Sequence, residues 1–325
     1  MIEALDNKKT WFFIDEIQKV PKLLDVVHLC IEKFKTPFAL TGSSARKLKR
    51  GAANLLAGRA FVFNMFPLTH LELKDSFDLQ ECLQWGSLPQ IYHYSTPLSK
   101  IRYLRTYGQV YVKEEIVAEQ LVRKLNPFRQ FLEIAAQANG EIINYSNIAR
   151  DVNVDTVTVQ SYFQILEDTL VGYLLPSYHL SIRKRQRHNP KFYFFDLGVK
   201  RSLENSLSIE LKKNTYAYGR SFEHFIIMEI VRLNHYFETH FKLSYLRTKD
   251  KAEIDLIIER PGNTTVLIEI KSKDHVDERD TKSLVRFQPE FDNALAMLLS
   301  NDAITKKISG VIAYHWNDGI SWLFK

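Results

Sequence analysis

The chain has 325 residues, 45% of them hydrophobic and 25% charged, which describes a soluble globular protein of two or three domains. Its 44 Lys and Arg against 38 Asp and Glu give a formal net charge of +6, a balance that permits a polyanion partner without requiring one. No apolar run approaches the roughly 18 residues of a membrane span. The opening "MIEALDNKKT" lacks the layout of a signal peptide, so the expectation is a cytoplasmic protein with no membrane partner. Two cysteines, Cys30 and Cys82, form neither a disulfide framework nor a zinc site and read as core residues.

"TWFFID" is an unbroken β-favouring run that predicts a buried strand ending in the adjacent acids Asp15 and Glu16. Pro21 then opens a helix, "KLLDVVHLCIEKF", with Leu23, Leu24, Val27, Leu29 and Ile31 at roughly helical spacing. "PFALT" predicts a second strand, the polar loop "GSSARKLKR" leads into another helix, and "AFVFNMF" predicts a third strand. Strands alternating with helices imply a parallel α/β sheet, whose ligands bind at the carboxyl ends of the strands. Asp15, Glu16, Thr41, Ser43 and Ser44 lie at such ends. One strand-end acid that holds Mg²⁺ beside a neighbour that orients water is the chemistry of nucleotide hydrolysis.

"WFFIDEIQKVP", "FALTGSSARKLKRGAANLLAGRAF" and "PLTHLEL" resemble the second half of the ATPase domain in a prokaryotic AAA+ family. Members of that family carry a C-terminal region with a restriction-endonuclease-like fold. The resemblance continues through "WGSLPQIY", "YFFDLGVKRSL" and "SFEHFIIMEI". It implies ATP and Mg²⁺ as cofactors, Asp15 and Glu16 as the Walker B acids, Ser43 or Ser44 as the sensor residue, and Arg59 of "LAGR" as an arginine-finger candidate. From the residues alone, the acid pair also suits a helix start and Arg59 also suits a surface position after a turn glycine. The departure lies upstream. The family places G-x-x-x-x-G-K followed by Ser or Thr before the Walker B strand, yet none of the 12 glycines is followed by Lys. Only ten residues precede Trp11, so the expectation is half an ATPase domain, from a shortened gene, a late translation start or a fragment, with weak or absent ATP binding.

Residues 97–125 predict a helical linker interrupted at Gly108. Residues 128–175 then give three helix patterns with a turn at "VNVD", Asp155 capping the third, and an inward stripe of Val159, Tyr162, Phe163, Leu166 and Leu170. This is the layout of a winged helix-turn-helix. Thr156, Thr158, Gln160, Ser161 and Gln164 face outward, as a base-reading helix or a plain solvated one would arrange them. In "SIRKRQRHNPKFYFFD", Arg183, Lys184, Arg185, Arg187 and Lys191 would contact DNA phosphates if the segment is the wing; the alternative is a turn kept soluble by charge.

"YGRSFEHFIIMEIVRLNHYF" predicts a helix with an early Glu223, followed by strands in "KLSYLRT", "AEIDLIIER" and "TTVLIEIKSK". Glu223, Asp255, Glu269 and Lys271 resemble the PD-(D/E)xK nuclease core. Period-two alternation puts Glu269 and Lys271 on one side of their strand, and Asp255 ends the strand segment before it. Asp255 and Glu269 are the candidate Mg²⁺ ligands and Lys271 would steady the attacking water; Glu and Lys alternating on a solvated sheet face is the plainer account. "DERDTKSLVRFQPEFDNALAMLLS" predicts a charged turn and an amphipathic helix, and "SGVIAYHWNDGISWLFK" a closing hairpin that turns at Asn317-Asp318-Gly319.

The fold expected is therefore mixed α/β and α+β. A partial P-loop NTPase domain covers 1–75, a helical lid or linker 76–126, a winged helix-turn-helix 127–195, and a restriction-endonuclease-like domain 196–325. Three functions follow: an AAA+ relative with an incomplete ATPase half acting on or near DNA, a metal-dependent nuclease or DNA-binding protein, or a non-catalytic protein-interaction module. DNA, a protein partner or further copies of the chain are the partners these imply.

Overall fold

The computed structural model of the protein describes residues 10–42, 60–108, 125–178, 189–248, 250 and 252–325. In the N-terminal unit β1 (Phe12–Ile14) pairs in parallel with β2 (Phe38–Leu40), and α1 (Leu23–Phe34) connects them. Helix α1 buries Leu24, Val27 and Cys30 at helical spacing, while Leu29, expected inward, is 57% exposed. The core here is small: Ile17 and Leu24, with Ile14, Leu23, Ile31 and Leu40 packed against them. Trp11 and Phe13 remain 61% and 79% exposed. The strand expected at "AFVFNMF" is corrected: residues 60–66 carry no strand, and Phe61, Val62, Phe63 and Met65 are exposed. High β-propensity makes a strand only where backbone N–H and C=O groups find a ladder partner, and the described residues offer this segment none.

The middle of the chain is helical. After α2 (His70–Leu73), α3 (Leu79–Trp85) and α4 (Pro97–Thr106) come α5 (Leu125–Gln137), α6 (Tyr145–Asp151) and α7 (Thr156–Asp168). Asp155 caps α7 by accepting from the Thr158 N–H at 2.8 Å, and Val159, Tyr162, Phe163 and Leu166 form the buried stripe. An antiparallel ribbon of β3 (Gly172–Leu175) and β4 (Lys191–Phe194) follows, then α8 (Leu197–Leu203). Phe128, Phe131, Phe163, Phe192 and Phe194 are all fully buried in one core, with Phe131 and Phe163 edge to face at 4.8 Å.

The C-terminal part is built on α9 (Tyr216–Tyr236) and a six-stranded mixed sheet. The strands are β5 (Lys242–Arg247), β6 (Glu253–Glu259), β7 (Thr265–Lys271), β8 (Ala294–Ser300), β9 (Lys306–Ile308) and β10 (Val311–His315). Their order is β5-β6-β7-β8-β10-β9, antiparallel from β5 to β7 and parallel from β7 through β8 to β10. Helix α9 covers one face and α10 (Lys282–Phe287) the other.

Two expectations change here. "ALAMLLS" is strand β8 rather than the tail of a helix, because both its faces are covered, and a doubly covered strand shows no polar alternation to read. The closing hairpin is instead β10 followed directly by α11 (Trp316–Leu323). Trp316, Ile320 and Leu323 recur at helical spacing and bury against the sheet, which outweighs the turn propensity of Asn317-Asp318-Gly319.

The sequence runs around His70, Ser87, Asp196 and Glu229 meet in one buried joint. Asp196 caps α8 through the Val199 N–H and accepts from the Ser87 N–H at 2.7 Å. Gly86 has φ +76°, and a Cβ there would collide with the Asp196 carboxylate; a Cβ on Gly198 would collide with the Trp85 carbonyl oxygen. From α9, Arg232 donates to Ser87 Oγ and the Phe195 carbonyl, and Glu229 accepts from the His70 backbone and pairs with its ring. This joint fixes α9, and with it Glu223, against the middle helices.

Candidate functional site

Two groups of acids lie at strand ends or faces, in different surroundings. At the N-terminal sheet, Asp15 follows β1 and is exposed, and the Thr41 hydroxyl just past β2 donates to its Oδ1. The Glu16 N–H donates to Thr41 Oγ1 at 3.3 Å, and Glu16 itself takes φ 53° at the start of a short 3-10 turn. Parallel pairing therefore brings the ends of both strands together, and the Asp15 carboxylate and Thr41 hydroxyl are hard oxygen donors of the kind Mg²⁺ takes. Ser43 and Arg59 lie outside the described residues, as does Ser44.

The second group gathers the four residues expected of the nuclease-like core. Glu269 and Lys271 share one side of β7 and form an ion pair. Asp255 lies across from them, but as the third residue of β6 rather than at its end; antiparallel pairing sets the start of β6 against the end of β7, and Asp255 Oδ2 accepts from the Ile270 N–H at 2.8 Å. Glu223, on the first turns of α9, faces the same cluster and interacts electrostatically with both Asp255 and Glu269.

Sequence reasoning missed the residues that complete this cluster. Lys191 was expected among the exposed phosphate contacts; the structure corrects this, because β4 is buried along its whole length and Lys191 is 2% exposed. Its ammonium lies 2.5 Å from Glu253 Oε1 and 3.3 Å from Glu223 Oε1, over the Tyr245 ring. The Tyr193 hydroxyl donates to Glu223 at 2.8 Å, and Arg220 approaches it at 3.8 Å. The signal that marks Lys191 is period-two position: Lys191 and Tyr193 alternate in β4 and reach the same carboxylate. The four remaining basic candidates, Arg183, Lys184, Arg185 and Arg187, lie outside the described residues.

Burial divides the acids. It pushes the Glu269 carboxyl up to about 8, with the Asp255 charge adding and Lys271 opposing. Burial likewise lifts Asp255 to about 6, helped by Glu223 and opposed by Lys271 and Lys191. For Glu223 burial acts upward too, but Lys191 and Arg220 override it and hold the carboxyl below its usual range. Burial disfavours the Lys191 ammonium, yet Glu223, Tyr193 and Glu253 keep its pKa well above the ordinary value. The geometry thus sets the Lys191 ammonium against Glu223, while burial favours the protonated form on the Asp255 and Glu269 side. Glu269 Oε2 is buried with no hydrogen-bond partner. Hard carboxylate oxygens suit Mg²⁺, but among the described residues no three His, Cys, Asp or Glu side chains are gathered closely enough to hold a metal ion.

Comparisons with known proteins follow the same division. Residues 1–74 match the AAA domain. Residues 76–212 and 218–317 match two domains of unknown function, DUF8612 and DUF4143. Together the matches support an AAA-like ATPase family with C-terminal domains of unknown function. The chain is similar to uncharacterized proteins of Mycobacterium bovis and Mycobacterium tuberculosis, each 26% identical over 264 residues, covering 80% of this chain and 58% of the relative. An uncharacterized protein of Haemophilus influenzae is 22% identical over 305 residues, 89% of this chain and 72% of its own. The chain thus spans 58% of the length of the mycobacterial relatives it matches. No helix among the described residues is long and apolar enough to cross a membrane.

Proposed function

We propose that this is an AAA-type ATPase-like protein that acts on DNA, in which Asp15 supplies the magnesium side of a nucleotide site and Glu16 orients water. The observation that carries the reading is the parallel β1 and β2 pair, in the segment that matches the AAA domain, with Asp15 held by Thr41 across the two strand ends. Magnesium there would neutralise charge on the transferred phosphate. The sequence has no glycine followed by lysine, so no lysine-bearing loop cradles the phosphates, and the 325-residue chain alone binds MgATP weakly. Calorimetry tests this. No binding tighter than about 1 mM is expected for the chain alone; a micromolar Kd would overturn the assignment. In a chimera where a P-loop strand and helix precede Trp11, hydrolysis should appear and should be lost in Glu16→Gln. Three helices and the β3 and β4 ribbon favour a winged-helix reading of the middle module, with Arg183, Lys184, Arg185 and Arg187 as DNA phosphate contacts.

A second reading, metal-dependent phosphodiester cleavage on a restriction-endonuclease-like frame, is favoured by the buried Glu269 oxygen without a partner beside Asp255 and Lys271. Asp255 and Glu269 would hold Mg²⁺ and Lys271 would steady the attacking water. Mg²⁺-dependent nicking of duplex DNA should disappear in both Asp255→Ala and Lys271→Ala; nicking that persists in both belongs to another site.

A further inference from the structure

Residues 60–65 form no helix, turn or strand, and no ladder hydrogen bond joins them to the rest of the described residues. Phe61 and Met65, 90% and 81% exposed, are the two most exposed large apolar side chains among those residues, and Val62 and Phe63 lie open beside them. The segment is nonetheless anchored. Phe66, the next residue, donates its backbone N–H to the Tyr236 hydroxyl at 3.0 Å and sets its ring against His235 and Tyr236, and the Leu68 N–H donates to the Ser87 carbonyl at 2.9 Å. A β-favouring run therefore leaves the buried joint at a fixed point with its backbone unpaired, which makes it a template for another strand.

We propose that residues 60–65 are the interface of a two-fold dimer, in which the occupant is the same segment of a second copy, paired antiparallel. A two-fold axis brings like surface to like, and two identical strands so related run in opposite directions. The composition suits self-pairing. Residues 60–66 contain no charge, proline or glycine, so two copies of a chain with net charge +6 meet there without local repulsion, and the Phe, Val and Met side chains can pair with their own kind across the ladder. Area points the same way. The four open side chains present roughly 600 Å² per copy, against the roughly 800 Å² that each partner gives to a stable complex, so a dissociation constant of about 1–100 µM is expected. The dimer requires neither nucleotide nor DNA.

Sedimentation velocity of the full chain, from about 1 to 200 µM, tests this. A monomer–dimer equilibrium is expected, and Phe61→Asp combined with Phe63→Asp should weaken it at least tenfold at an unchanged thermal midpoint, since both side chains are exposed. Single cysteine variants from Phe61→Cys through Met65→Cys, treated with a short thiol-reactive linker, should crosslink most at one position and less on either side, because an antiparallel pair meets itself only at its axis. Cys30 and Cys82 are buried and give no background. A chain that stays monomeric at about 200 µM overturns the proposal. So does a dimer that the double substitution leaves intact, crosslinking that is equal at every position or absent at all of them, or aggregates of no defined mass. The chimera with a P-loop strand and helix ahead of Trp11 separates the remaining occupant. If it is monomeric while the chain alone dimerises, a strand of the same domain covers the segment and the second copy is not its partner; if it dimerises with the same crosslinking maximum, the assignment stands.

Discussion

The N-terminal strand pair and the C-terminal sheet carry the same acids on the same kind of element, and burial makes them different chemistry. Asp15 follows a three-residue strand whose neighbours Trp11 and Phe13 are open to solvent. Glu269 sits in the middle of a six-stranded sheet covered on both faces, where a bare charge is costly and lysines must be brought to it. The lesson is that a carboxylate at a strand end is a ready ligand when exposed, and becomes a proton store or an ion-pair partner when enclosed.

The sharpest way to break this contrast is to change one buried and one exposed side chain. Glu229→Ala in α9 strips the buried partner from His70 and Arg232 and should cost about 3–5 kcal/mol, read from urea denaturation. Phe13→Ser in β1 should change stability by less than about 0.5 kcal/mol and reduce self-association in sedimentation, because that ring is 79% exposed. Equal costs in the two regions would end the comparison.

A middle-sized effect is expected at the joint. Gly198→Ala forces a methyl against the Trp85 carbonyl and should cost about 1–3 kcal/mol; a neutral result would mean that α8 shifts freely from α3.

The pH response should be smaller and of known sign. A carboxyl whose folded pKa is raised makes the folded state bind the extra proton, so its stabilising share is complete below the unfolded value and declines as pH climbs to the folded one. Glu269 at about 8 and Asp255 at about 6 therefore make wild-type stability fall between about pH 4.5 and 8. Relative to wild type, Glu269→Gln should gain stability progressively over that window, read as a thermal midpoint difference that widens as pH rises. A stability difference that does not vary with pH would show that Glu269 ionises as freely as an exposed acid. Smallest of all, Asp15→Asn should leave the thermal midpoint within about 1 °C, since the exposed side chain contributes one hydrogen bond with Thr41.

Local pattern determined much of this protein. Helix α7 and its Asp155 cap, the strands β5 to β7, and the side shared by Glu269 and Lys271 follow from spacing and capping chemistry, which are properties of neighbours in sequence. Only the tertiary structure decided where local rules compete with burial. Residues 294–300 are a strand because both faces are covered, 316–323 are a helix because Trp316, Ile320 and Leu323 bury together, and 60–66 form no strand without a partner. Lys191 is the clearest instance. In the sequence it trails a run of basic residues, and in the fold it is the enclosed cation paired with the distant acids Glu223 and Glu253, because charge pairing in a low-dielectric interior is set by which elements meet.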